Sequence, residues 1–388
     1  MSVYGIISEF NPFHNGHKYL FDAARAKGAE AIVCVMSGNA VQRGELSITD
    51  KYRRAKMALL SGADLVLELP FPWCAASAES FARAGVYIAS EFADTLFFGS
   101  ECADIAVLTR AAEITASESF AEEYKKRLVG NSGAAQTYFS LLEEKTGREY
   151  LSNDILGIEY IKAASCLGKD IAFSTVKREG GAYLDNELCE GDIQSATAIR
   201  KLIQNGAFDS ALRFMPKESL AVLKNAMVDR AISDYSRIEN AVKLFFRLAE
   251  PKDLTEIADI DMGLASRICN EARDCKGELI EALKTKRYTD ARLRRVLLYA
   301  LCGVRKSDIE RMPEYVNLLG ANAVGRELLS KRRKGDGIAV LAKASDIPNT
   351  QSSIRQAELS EHLDSIFTLS LEAPSSASEM IKKGPQII

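Results

Sequence analysis

The chain has 388 residues, 47% of them hydrophobic and 27% charged, with a formal net charge of -3 at neutral pH. These ordinary globular values exclude a disordered, collagen-like or fibrous protein, and the length suggests two or three domains. No strong field covers the whole molecule, so any nucleic-acid contact has to come from a local basic patch.

In chain order, Val3-Tyr4-Gly5-Ile6-Ile7 predicts a first strand, followed by a helix beginning near Gly16 or His17. Residues 31–36, apolar throughout, predict a second strand buried on both faces, then a loop and a helix from near Thr49. Residues 64–69 read as a third strand, 78–90 as a helix, and 95–98 and 171–176 as two further strands. Strands separated by helices require right-handed crossovers and build a parallel sheet covered on both faces. The expected fold class is therefore α/β, a Rossmann-like domain with a parallel sheet over residues 1–206.

After Gly206 the strand signal stops. Residues 219–227, 231–249, 254–260, 277–283 and 290–301 carry helical spacing, which predicts a second, helical domain over 207–365. Residues 366–388, with the run Ala373-Pro374-Ser375-Ser376, read either as a loose tail or as a linker to a segment that docks.

Eight cysteines are scattered without a CxxC pair or a histidine at ligand spacing, which reads as reduced thiols and gives no metal site from protein side chains. The N-terminal residues enter a strand pattern with no basic-then-apolar leader, and no apolar run approaches a membrane span. The expectation is a cytoplasmic protein without a membrane partner.

Glu9-Phe10-Asn11-Pro12-Phe13-His14-Asn15-Gly16-His17 closes the first strand and opens the first helix. In an open parallel sheet that is the carboxyl edge, where ligands bind. Pro12 and Gly16 suit a tight turn, and the helix offers unpaired N–H groups to an anion. His14 and His17 can each donate a ring N–H to phosphate oxygens as charge builds during displacement at phosphorus. They are two of only three histidines in the chain. Lys18 can assist or be a solvated lysine, and Glu9 can orient a ligand or satisfy backbone N–H groups. Ser195-Ala196-Thr197-Ala198-Ile199-Arg200 marks another helix start. Ser195 and Thr197 can cap it or donate to phosphate, and Arg200 can neutralise phosphate. Ser37, Gly38 and Arg43 follow the second strand, with Arg43 facing either a small ligand or RNA, or solvent.

Lys284, Lys286, Arg287, Arg292, Arg294 and Arg295 form a basic block, with Tyr288 placed to stack on a base. A second run spans residues 331–334. On charge alone such runs are usually solvated faces.

Four blocks together carry a closer resemblance: residues 9–17, Met36-Ser37-Gly38-Asn39-Ala40-Val41-Gln42-Arg43-Gly44-Glu45, Phe97-Phe98-Gly99-Ser100-Glu101, and Asn153-Asp154-Ile155-Leu156-Gly157. With the basic block and Leu319-Gly320 they resemble the bacterial tRNA(Met) cytidine acetate ligases, of the HxGH nucleotidyltransferase superfamily, to about residue 340. Ser152 stands where that family commonly has proline, and the chain beyond about Asp364 matches nothing in it.

The resemblance implies an ATP-dependent ligase that adenylates acetate and transfers the acetyl group to the exocyclic amine of the wobble cytidine of elongator tRNA(Met), releasing AMP and pyrophosphate. It places ATP, with Mg²⁺ on the nucleotide, along Ile7, Ser8, Glu9, Phe10, Asn11, Pro12, Phe13, His14, Asn15, Gly16, His17, Lys18 and Leu20, with Gly99, Asn153 and Arg178. It assigns the outer phosphates to Ser195, Thr197 and Arg200, and tRNA to the basic block. Alternatives open from the residues alone are an adenylyltransferase of a phosphorylated cofactor precursor, an acetylating ligase with a protein thiol as acceptor, and a non-catalytic RNA-binding module.

Overall fold

The computed structural model describes residues 1–128, 133–178, 193–285, 288–331 and 337–388. Eight strands join in one sheet: β1 (Val3–Ser8), β2 (Ala31–Ser37), β3 (Leu65–Leu69), β4 (Thr95–Ser100), β5 (Ala172–Lys177), β6 (Tyr315–Ala321), β7 (Ala339–Leu341) and β8 (Gln386–Ile387). The order is β5-β4-β1-β2-β3-β6-β7, with β8 on the β7 side of β6. Strands β1 to β5 are mutually parallel, in register from Val3 opposite Ala31 to Ser8 opposite Met36. The α/β class and the parallel core agree with the sequence, because every residue of β2 is buried and its apolar side chains pack on both faces.

The helices α1 (Asn15–Ala26), α2 (Lys51–Leu60) and α3 (Ala78–Ala89) supply the crossovers. Asp50 caps α2 through the N–H groups of Tyr52 and Arg53, and Ser77 caps α3 through that of Ser80. From β1 the chain winds one way through β2 and β3, then returns past β1 to β4 and β5. This reversal opens a crevice at the carboxyl ends of β1 and β4, the place where such sheets bind ligands.

Three expectations are corrected. The crossover from β4 to β5 is not one helix but includes Ile105–Ala116, Glu118–Arg127, Ala134–Thr146 and Ser152–Leu167. Residues 255–260 are not helical; the helix there is the single turn Pro251–Leu254. Strands do not end near Gly206, since β6 pairs antiparallel with β3, with Leu65 opposite Ala321, and extends the first sheet. The chain beyond 366 docks: Ala377–Lys382 is helical, and β8 pairs with β6.

The later helices and the sheet share a core. Tyr299 donates its hydroxyl to the Ala75 carbonyl at 3.1 Å, and the Trp73 indole donates to the Arg311 carbonyl at 3.0 Å. Lys51, wholly buried, bonds Glu68 at 2.9 Å and reaches Asp364 at 3.5 Å. Asn317 and Asn39 donate to those carboxylates, so the helix Gln351–Leu369 is tied to β3 and β6 by a satisfied polar knot. Burial opposes the Lys51 charge, but Asp364 and Glu68 outweigh it and hold the ammonium well above its usual pKa. No helix among the described residues is long and apolar enough to cross a membrane.

Candidate active site

At the crevice the turn after β1 is built around buried rings. Phe10 takes a left-handed φ of 44°, a conformation that costs an L-residue roughly 1–2 kcal/mol. Its enclosed ring packs on Phe13, Phe21 and His17, and that packing holds the strained backbone.

The two motif histidines begin α1 as a reciprocal cap. The Gly16 N–H donates to His14 Nδ1 at 3.0 Å, and the His14 N–H donates to His17 Nδ1 at 3.2 Å. Serine and glutamate commonly make such a box; here two imidazoles do. With each Nδ1 accepting, each neutral ring must carry its proton on Nε2. The rings lie 3.8 Å apart, tilted by 33°. Burial, then the charges of Arg178 and Arg200, push the His14 pKa down to about 3. Burial and His14 itself likewise hold His17 well below the usual histidine range. Both rings are thus neutral Nε2–H donors at physiological pH.

They line a cavity of about 560 Å³, a size suited to a nucleotide. Of the motif, Ile7, Ser8, Glu9, Phe10, Asn11, His14, Gly16, His17 and Leu20 line it, and so do Gly99, Asn153, Arg178, Ser195, Thr197 and Arg200. Pro12, Phe13, Asn15 and Lys18 do not. Phe13 is core, Asn15 donates to the Arg213 carbonyl at 2.9 Å, and Lys18 is turned outward onto Asp22.

Arg178 extends from the end of β5 across Gly99, where a Cβ would sit 3.1 Å from the Arg178 Cγ. Among the described residues its guanidinium makes no hydrogen bond, and its charge acts on both His14 and His17. Arg200 is already engaged: it donates to the Asn11 carbonyl at 2.9 Å and pairs with Glu45 at 2.7 Å. Ser195 caps the helix Ala196–Gln204 through the Ala198 N–H. The Asn153 amide donates to Glu101 at 2.6 Å, and the Asp154 N–H donates to the same carboxylate at 3.0 Å. This joins the end of β4 to the helix Ser152–Leu167.

The loop after β2 divides differently from expectation. Arg43 lines the cavity, but Ser37 and Gly38 lie beneath it. Their carbonyls accept from Arg54, which also donates to the Glu9 carbonyl at 2.6 Å and the Thr49 carbonyl at 3.1 Å. This enclosed arginine fixes the turns after β1 and β2 together. Burial lowers its pKa to about 10, so it stays charged. Glu9 accepts from the Gln42 N–H at 2.9 Å, and burial raises its pKa while Arg200 opposes the rise. Sequence reasoning passed over Arg54, Gln42, Glu45, Tyr150, Tyr160 and Gln194, all at or under this cavity; nothing in their spacing sets them apart.

The basic block is also redistributed. Lys284 pairs with Glu281 and Asp290 at 2.6 and 2.9 Å, and Arg292 lies over the Tyr288 ring at 5.1 Å. Tyr288 is only 8% exposed, so its ring is not presented to a base, contrary to expectation. Ala291, Arg294 and Arg295 are all half-buried, and of these Ala291 and Arg295 line the cavity. Lys286, Arg287 and residues 332–334 of the second run lie outside the described residues. Among the described residues no cluster of three or more His, Cys, Asp or Glu is placed to hold a metal.

The profile of the HIGH nucleotidyl transferase family matches residues 1–381. A Clostridium perfringens protein named tRNA(Met) cytidine acetate ligase is 36% identical over 368 residues, covering 89% of this chain and 90% of its own length. Thermotoga maritima TmcAL in its apo form has the same fold with a TM-score of 0.91 at 30% identity, covering 100% of both chains. The same protein bound with alpha-thio ATP gives a TM-score of 0.89 at 29% identity, over 100% of this chain and 99% of that one.

Proposed function

The chain belongs to the tRNA(Met) cytidine acetate ligases within the HIGH nucleotidyl transferases, and on that footing we propose the following reaction at this cavity. An acetate oxygen attacks the α-phosphorus of ATP, pyrophosphate leaves, and acetyl-adenylate forms. The exocyclic amine of the wobble cytidine in elongator tRNA(Met) then attacks the acetyl carbonyl. AMP leaves, and the amine proton is lost.

The observation that carries this reading is the histidine pair. Two neutral imidazoles, His14 buried and His17 half-buried, each with Nδ1 occupied by a backbone N–H, present Nε2–H donors at the α1 N-terminus. Donors fixed before reaction stabilise charge growing on phosphate oxygens without reorganisation. Arg178 balances the outer phosphates, with Ser195 and Thr197 beside them. The aromatic wall of Phe98, Phe139, Tyr150 and Tyr160 suits the flat adenine.

Magnesium fits as a passenger of the nucleotide, neutralising phosphate charge. The two carboxylates in the lining are already engaged, Glu9 with Gln42 and Glu45 with Arg200. The protein belongs in the cytoplasm, where charged ATP, acetate and tRNA meet.

The test is incubation with labelled acetate, ATP, Mg²⁺ and unmodified elongator tRNA(Met), followed by digestion to nucleosides. Labelled acetylcytidine with released AMP and pyrophosphate is expected. AMP retained in the final product would indicate an adenylyltransferase instead, and AMP release without labelled RNA would indicate another acceptor.

A further inference from the structure

Acetyl transfer to an amine releases a proton, and among the described residues one group on the cavity wall is free to take it. An exocyclic amine on a pyrimidine shares its lone pair with the ring. It is a weak nucleophile that gains from losing its proton as the new bond forms. The arginine and tyrosine side chains of the lining carry their protons at neutral pH and are not bases there. The imidazoles have no lone pair left, since each Nδ1 accepts a backbone N–H and each Nε2 carries the ring proton. Glu45 is bound to Arg200 at 2.7 Å, and a proton placed on it would break that pair. Glu9 remains.

Glu9 follows β1 at the carboxyl edge of the sheet, and Arg54 pins its backbone by donating to the Glu9 carbonyl at 2.6 Å. Its side chain lines the cavity together with His14 and His17. Oε1 accepts the Gln42 N–H at 2.9 Å, which fixes the direction of the carboxylate. Oε2 has no hydrogen-bond or ion-pair partner among the described residues, yet it is not sealed from solvent. A carboxylate held by one oxygen and open at the other can receive a proton without moving. Burial is the main influence on the Glu9 pKa and raises it; Arg200, the Gln42 N–H and Arg43 oppose the rise, and Glu45 adds to it. Tyr160 and Arg54 are the other titratable groups beside it. A carboxylate shifted toward neutrality is a stronger base at working pH.

We propose that Glu9 is the general base of acetyl transfer, a catalytic residue for the second half of the reaction. This rests on the ligase reading. The amine nitrogen forms the C–N bond to the acetyl carbon while its proton passes to Glu9 Oε2. The C–O bond to AMP then breaks, and its electron pair leaves on the AMP phosphate. Glu9 returns the proton to solvent as the products depart. Adenylation of acetate moves no proton, so that half of the reaction asks nothing of this base.

The test compares wild type with Glu9→Gln, Glu9→Asp and Glu45→Gln in two assays run across pH. These are acetate-dependent exchange of labelled pyrophosphate into ATP without RNA, and single-turnover acetyl transfer to unmodified elongator tRNA(Met) from enzyme loaded with acetate and ATP. Glu9→Gln keeps an oxygen for the Gln42 N–H but loses the base. It is expected to slow transfer at least about 100-fold more than it slows exchange, within the range of general bases. Wild-type transfer should fall as the pH drops through one ionisation with its midpoint above the ordinary glutamate value of 4.5, because protonated Glu9 cannot accept. That limb should vanish in Glu9→Gln and persist in Glu9→Asp. Equal losses in exchange and transfer, or a limb that survives in Glu9→Gln, would overturn the proposal by making Glu9 only a strut for the loop after β2. Loss of transfer in Glu45→Gln with Glu9→Gln unaffected would also overturn it. Should Glu9→Gln fail to fold, Glu9→Asp carries the comparison: transfer slowed more than exchange is expected, and the two falling together would count against a base. Absence of acetate-dependent exchange in the wild type would remove the ligase reading itself, a separate outcome.

Discussion

Gly44→Ala probes the join between the loop 38–45 and the helix Asp290–Cys302 most directly. Gly44 has φ of +73°, and a Cβ there would meet the Arg295 nitrogen at 2.5 Å and the Arg294 carbonyl carbon and Arg295 Cα at 2.8 Å. The left-handed backbone alone costs an alanine roughly 1–2 kcal/mol. All three opposing atoms are backbone, so none can rotate away, and the loop must withdraw by about an ångström, at an overpacking cost of about 1–3 kcal/mol. The expected total is about 2–5 kcal/mol. Gly168→Ala supplies the control, because Gly168 caps a helix at φ +61° with nothing within 4 Å of its Cβ and carries the backbone cost alone. Urea denaturation of both variants, with m-values unchanged, should place Gly44→Ala about 1–3 kcal/mol below Gly168→Ala. Equal destabilisation of the two variants would refute the argument, because it would mean the loop and helix do not press together.

His17→Gln keeps the helix cap, as glutamine suits that position of a capping box, but removes the ring donor. Acetate-dependent exchange should fall by about 100-fold or more with the melting temperature little changed, in the range seen when one oxyanion donor is lost. Exchange at the wild-type rate would take His17 out of the chemistry. Both imidazoles have folded pKa values below the unfolded one, so folding excludes a proton that the unfolded chain would bind. Their contribution to stability is full above about pH 6.5 and shrinks by up to about 1.4 kcal/mol per pH unit per ring as the pH falls toward the His14 value of about 3. An imidazole NMR titration should show neither ring protonating above pH 5; a midpoint near 6.5 for either would contradict the buried arrangement. Arg54→Met keeps the stem but leaves the carbonyls of Glu9, Ser37, Gly38 and Thr49 short of a donor. A loss of about 3–5 kcal/mol in chemical denaturation is expected, and a loss below about 1 kcal/mol would show that water replaces the guanidinium.

The parts legible in the sequence were those whose causes are local. A fully apolar run gives β2, and Ser195 announces a helix start because its hydroxyl can reach an N–H three residues on. The histidine pair is legible as a candidate site because strand, turn and helix follow one another within a few residues. What was not legible depends on partners far along the chain. Strand β6 pairs with β3 about 250 residues away, a partner no local pattern names, and β8 is two residues long, too short for a periodic signal. Arg54 looks like any basic residue on an amphipathic helix until the turns after β1 and β2 close around it. Lys18 shows the converse, since adjacency to the motif placed it near ATP while the turn of α1 carries it out to Asp22.

The same distinction separates Arg294 from Arg295. Successive residues on a helix differ by about 100° in direction, so a pair of arginines cannot serve one surface. Charge counting assigns both to RNA and stops there. What separates them is the cavity, which Arg295 lines and Arg294 does not, while Gly44, at a positive φ, lets the loop touch the helix backbone at both residues. The loop after β2 and the basic block are therefore parts of one wall, contributed from both halves of the chain. Acyl transfer makes such a wall useful, because acetyl-adenylate is readily hydrolysed and gains from meeting its acceptor without leaving the cavity.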